Sequence, residues 1–168
     1  KLNSFISRNE SLGWGVLRKG SVGISGSNYK PPVPEKNEVE RAINEILLSY
    51  KTSTEKAIDM FCLITYKQLF WDGNKRTALC CANKMLLSSG AGMITIKDDV
   101  MIRFNELLCR MYDTGEKEEV KTFLYNNAIF GLDWFYPARF TNNEVAFIYI
   151  FHCKLVGFSQ YEYSYGAK

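Results

Sequence analysis

The chain holds one histidine, His152, and no C-x-x-C pair among its five cysteines, Cys62, Cys80, Cys81, Cys109 and Cys153. That is too little ligand for a zinc site. An odd cysteine count argues against a full disulfide set. Three of the cysteines sit in apolar helical patterns, where Cys acts as a small hydrophobe, and the expected compartment is the reducing cytoplasm. No block of five or more like charges interrupts a net charge of only +3, so nucleic acid is not an expected partner. No apolar run approaches the ~18 residues of a membrane span, and "KLNSFISRNE" has none of the character of a signal peptide. Gly20, Gly23 and Gly26 precede no G-K-[ST], which excludes a P-loop, and no G-x-S-x-G elbow occurs. There is no internal repeat.

What is present suits one folded domain. The length is 168 residues, with 46% hydrophobic, 14% aromatic and 23% charged residues, enough apolar material to fill a core. Residues 13–34 are punctuated by glycines, with alternating Val16, Arg18, Val22 and Ile24, and read as a β-hairpin. Pro31-Pro32-Val33-Pro34 then forms a stiff connector. Helical periodicity follows. A helix over about 38–50 has Asn37 as its cap and Val39, Ile43, Ile46 and Leu47 on one face. The next has Thr54 or Ser53 as cap, Ala57, Ile58, Phe61, Cys62, Ile64 and Thr65 as packing residues, and an end near Lys67. A third covers about 74–88 and exits at Ser88-Ser89-Gly90. A fourth covers 98–112, with Asp98 or Asp99 at its start, and a fifth 116–127. "EVAFIYIFHCKLVGF" suits strand or buried helix equally, and "SQYEYSYGAK" reads as a tail.

The chemistry concentrates in "QLFWDGNKRTALCCANKMLL", Gln68 to Leu87, where a polar loop runs into the third helix. Gly73 allows close backbone approach to a ligand. Free N–H groups at a helix start, together with the helix dipole, favour an anion. Arg76 can fork onto a phosphate and Lys75 adds a second positive charge. Asn74 can donate to phosphate or cap the helix. Asp72 is the hard oxygen ligand that Mg²⁺ uses beside phosphate oxygens. The pattern points to a nucleotide polyphosphate with Mg²⁺. The same residues also suit an ordinary Asp-Gly turn, an Asn cap and solvated basic side chains.

Gln68-Leu69-Phe70-Trp71-Asp72-Gly73-Asn74-Lys75-Arg76 resembles the Fic/Doc signature H-x-F-x-[DE]-G-N-[GK]-R, and Thr77-Ala78-Leu79 continues the likeness. Upstream, Val22-Gly23-Ile24-Ser25-Gly26-Ser27-Asn28-Tyr29-Lys30-Pro31-Pro32 resembles the family's flap. The likeness covers roughly residues 13–127. It implies a mainly α fold, a Fic-type helical bundle with one β-hairpin flap. The expected division is an N-terminal segment 1–12, a core 13–130 (flap 13–30, signature loop 68–76) and a C-terminal extension 131–168. The resemblance further implies transfer of AMP from ATP to a Ser, Thr or Tyr hydroxyl of a target protein. Asp72 would bind Mg²⁺; Gly73, Asn74 and Lys75 would form the anion hole; Arg76 would hold phosphate; and Phe70 would anchor the loop in the core. The flap residues Arg18, Ser21, Val22, Gly23, Ile24 and Ser25 would pair with a target segment by strand addition, or else form a plain surface hairpin.

The chain departs from the family at the base. Gln68 stands where the family has the histidine that takes the target hydroxyl's proton, and an amide has no titratable proton near neutral pH. Losing a general base removes ~10²–10⁴-fold of rate, although phosphoryl-type transfer also rests on positioning and electrostatics. His152 could substitute only if the C-terminal segment folds over the loop. Leu79 occupies the place of a second arginine, and no inhibitory [ST]-x-x-x-E-[GN] motif accompanies it: Thr114 and Glu118 have the spacing, but Glu119 follows. Lys75 and Leu79 lean toward the Doc-type branch, which phosphorylates its targets and is held by a separate antitoxin. Three readings follow: a weak or atypical AMP transferase, a Doc-like kinase or toxin, and a non-catalytic module that binds nucleotide or a regulatory partner. Tyr161, Tyr163 and Tyr165 suit a modification site or plain surface.

Overall fold

The computed structural model of the chain describes residues 1–11 and 13–131. The C-terminal extension beyond residue 131, with His152 and the tyrosine tail, lies outside the described residues. The order is α1 (Leu2–Ile6), α2 (Lys36–Leu48), α3 (Ser53–Lys67), α4 (Asn74–Ser88), β1 (Met93–Ile94), α5 (Asp98–Thr114), α6 (Glu118–Asn127) and β2 (Ile129–Phe130). The protein is mainly α, as expected, and the five anticipated helices α2–α6 are present. None of the helices among the described residues is long and apolar enough to cross a membrane.

α3 is the centre. Ala57, Ile58, Phe61, Cys62, Ile64 and Thr65 are buried along it, joined by Met60 and Leu63. α4 lies against it through Ala78, Ala82 and Leu86, all fully buried, and the small residues let the backbones approach. α5 adds Phe104, Leu107, Leu108 and Met111, and α6 adds Val120 and Leu124. The Phe104 ring sits between Phe61 and Phe123, with centroids 6.0 and 5.8 Å away. α2 packs through Val39, Ile43 and Ile46, while Leu47 of its expected inner face is largely exposed. α3 is capped by Thr52, not by Ser53 or Thr54. Its hydroxyl accepts from the Glu55 N–H while the Glu55 carboxylate accepts from the Thr52 N–H, a reciprocal box. α2 starts after Glu35, with no side-chain cap from Asn37.

The strands are not where the sequence suggested. β1 and β2 form a short antiparallel pair, Met93 opposite Phe130 and Ile94 opposite Ile129. Buried Asn83 pins β1 to α4 by accepting from the Ile94 N–H (2.6 Å) and donating to the Ile94 carbonyl (3.0 Å). The flap, 13–30, carries no strand. Its arms are extended around a turn in which the Ser27 N–H donates to the Ile24 carbonyl. Two causes prevent a ladder. Pro31 and Pro32 give the return arm no N–H to donate. Arg18 reaches between the arms and satisfies carbonyls that a ladder would use.

The sequence sets residues 1–12 apart as an N-terminal segment. In the fold α1 packs on α4, and Asn3, Ile6 and Ser7 are buried. The four described cysteines are free thiols, and burial pushes the Cys62 thiol up to about 12.

Candidate active site

α3 ends at Gln68, whose backbone is left-handed (φ 47°), and α4 begins after Gly73, also left-handed (φ 71°). Between these two reversals lies the signature loop. A Cβ on Gly73 would sit 3.1 Å from the Ile6 Cγ2 and 3.4 Å from the Ser7 Cβ, so both conformation and packing require glycine there.

Asn74 closes the loop from within. Its Oδ1 accepts from the Phe70 N–H at 2.8 Å, and its Nδ2 donates to the Phe70 carbonyl at 2.8 Å and to the Gln68 Oε1 at 3.1 Å. The side chain expected in the anion hole is therefore buried as a structural brace, and only the Asn74 backbone N–H remains for an anion. Phe70 packs against the core, as its anchoring role required. Trp71 lies along the flap's base, where a Cβ on Gly20 would come within 2.7 Å of its ring.

Gln68 is held at both ends of its amide. Besides accepting from Asn74, its Nε2 donates to the Thr65 carbonyl at 2.7 Å and lies 3.4 Å from the Tyr112 hydroxyl. Tyr112 offers no replacement base, because burial above all pushes its phenol up to about 12 and keeps it protonated at neutral pH. Tyr112 belongs to a tyrosine cluster with Tyr29 and Tyr66. Tyr29 stacks on Tyr66 at 4.7 Å between centroids and ties the flap's return arm to α3 and α5.

The charged residues face outward. α4 has no side-chain cap, so its first backbone N–H groups stay open at the loop. Lys75 is exposed and its Nζ reaches the Asn105 Oδ1 of α5 at 3.4 Å. Arg76 donates from Nη2 to the Glu10 carboxylate (2.7 Å) and the Asp72 carboxylate (3.2 Å), and from Nη1 to the Ile6 carbonyl (3.2 Å). Asp72 and Glu10 are each about half exposed, 51%. Among the described residues no group of three or more His, Cys, Asp or Glu could cage a metal. Asp72 alone suits an ion that brings most of its oxygens from a nucleotide.

Arg18 departs most from expectation. Only 1% exposed, it cannot face a target. Its Nε donates to the Gln68 carbonyl, Nη1 to Gly20 and Nη2 to Pro31 and Pro32, and its own N–H donates to the Leu69 carbonyl at 3.0 Å. Burial lowers its pKa. Ser21, Gly23 and Ser25 are exposed, alternating with half-buried Val22 and Ile24. Among the described residues, the backbone groups of Ser21, Val22 and Gly23 carry no hydrogen bond. The turn is latched to α5 by the Ser27 hydroxyl donating to Asp113 at 2.5 Å.

Asn3, Ser7, Glu10 and Asn105 were not anticipated around the loop. No local pattern marks them, because each reaches it across a long stretch of chain.

A buried brace and two left-handed reversals thus set a polar loop before an open helix N-terminus on a helical bundle. The family model for the Fic/DOC family matches residues 2–86, just over half of the chain, and the chain belongs to that family. No curated protein matches it.

Proposed function

We propose that this Fic-domain protein binds ATP with Mg²⁺ at the signature loop and transfers AMP to a hydroxyl of a target protein at a low rate. The observation that carries this reading is the uncapped start of α4, with Lys75 and Asp72 exposed and Arg76 half-buried around it. The backbone N–H groups and two cations would take the phosphates. Asp72 would hold Mg²⁺, which screens phosphate charge when bound. Arg76 would exchange its carboxylate partners for phosphate. The free backbone edge at 21–23 would pair with an extended target segment.

A second reading, a binding module without catalysis, is favoured by one observation. The Gln68 amide already spends its nitrogen on the Thr65 carbonyl and one lone pair of its oxygen on Asn74, which ties it to the framework rather than to an incoming hydroxyl. The test is label transfer from α- and γ-labelled ATP to host-type lysate proteins, parent beside Gln68→His. The left-handed backbone at 68 tolerates histidine, so the variant should fold. We expect α-label from the parent to be weak and to rise by ~10²–10⁴-fold in Gln68→His. Label from γ-phosphate would turn the assignment toward a kinase. No label from either protein, with Mg·ATP still bound, would establish the binding module.

A further inference from the structure

One side chain that holds the signature loop lies outside it, in a helix 69 residues earlier. Asn3 is 1% exposed, and both ends of its amide are hydrogen-bonded. Nδ2 donates to the Asp72 carbonyl at 2.9 Å and to the Thr77 hydroxyl at 3.2 Å. Oδ1 accepts from the Gly15 N–H at 2.8 Å and lies 3.1 Å from the Ser7 hydroxyl, which also reaches the Asn3 carbonyl at 2.9 Å. One amide thus joins α1, the segment leading into the flap, the signature loop and the first turn of α4.

We propose that Asn3 is a positioning residue that aims the Asp72–Gly73 peptide at the bound nucleotide's phosphates. A trans peptide is planar, with its C=O and N–H pointing in opposite directions. Asn3 draws the Asp72 carbonyl inward, so the Gly73 N–H points away from Asn3. That N–H carries no hydrogen bond among the described residues. It therefore joins the open donors at the α4 N-terminus. Thr77, Asn3's other acceptor, begins the helical ladder by donating its N–H to the Gly73 carbonyl at 2.8 Å. Asn3 thereby holds both sides of the left-handed Gly73, whose outer face rests on Ile6 and Ser7. The same peptide carries the Asp72 carboxylate, so donors and acid turn together.

The inference rests on the phosphate-binding reading above, and its test separates the two. Asn3→Asp keeps the oxygen that accepts from the Gly15 N–H, but replaces the donor with an acceptor facing the Asp72 carbonyl. Val120→Ala, a core truncation on α6, serves as a control for lost stability. Mg·ATP binding is measured by calorimetry below each protein's unfolding range, with Tm recorded alongside. We expect Asn3→Asp to weaken binding by about tenfold to a hundredfold, the scale of a misplaced binding group, while Val120→Ala binds like the parent. Asn3→Asp binding as tightly as the parent would overturn the role of Asn3 alone, as would an equal loss in Val120→Ala. A parent that binds no Mg·ATP would overturn the phosphate-binding reading, and this inference with it.

Discussion

A buried guanidinium braces the signature loop from behind. Arg18 donates to carbonyls of the α3 end, the flap's outgoing arm and the proline connector. Leaving a buried acceptor without its donor costs about 1–3 kcal/mol. Arg18→Leu should therefore lose on the order of 3 kcal/mol in urea unfolding, since several acceptors are stranded at once. A loss under about 0.5 kcal/mol, the range of an ordinary surface substitution, would show that the brace is dispensable. In the sequence Arg18 is one basic residue in a glycine-rich stretch, which reads as surface. Its burial depends on carbonyls from Gln68, Pro31 and Pro32, and no local pattern brings these together. Gln68 differs: its identity already excluded a general base, and the structure adds that its amide is committed elsewhere.

Helices and flap followed different rules. Apolar spacing placed α3 and α4 to within two residues of where they lie, because their buried faces are long and regular. The cap of α3 fell one or two residues earlier than anticipated, since the Thr52-Glu55 box competes better than Ser53 or Thr54 alone. Thr52→Ala should cost about 1 kcal/mol of stability, with an unchanged m-value. The flap's alternation was legible as extended chain. Its lack of a ladder follows from prolines in the return arm and from Arg18 between the arms.

On the scale of the molecule, Asp59 links separate parts of the bundle. From α3 it meets Lys51 in the α2–α3 connection at 2.5 Å and Lys121 on α6 at 2.9 Å. Burial opposes its charge, but the hydrogen bonds and charges of Lys51 and Lys121 prevail and lower its pKa below the usual aspartate value of 3.8. A depressed folded-state pKa adds stability that is present above the unfolded value and lost as pH falls through the folded one. The parent should therefore lose stability as pH drops below about 4. Asp59→Asn should show less of that dependence. At pH 7 the variant should be less stable, by the low end of the roughly 1.5–3 kcal/mol of a charged hydrogen bond, since Lys51 is half exposed. Urea unfolding from pH 3 to 7 reads both effects, and parallel pH profiles for the two proteins would refute this account.

Residue order sufficed for the helices, the loop and the family, because these depend on patterns within a few turns of chain: apolar periodicity, a glycine at a reversal, an acid and two bases beside a helix start. It sufficed also to say that Gln68 carries no titratable base, which is a matter of one side chain's chemistry. Whether a polar side chain faces a ligand or holds the framework depends on partners far along the chain. Asn74 and Arg18 turned inward because buried carbonyls and amides must be paired, and folding brought those groups to them. Asn3 and Glu10 reached the loop for the same reason, through contacts that 66 or more residues of intervening chain conceal.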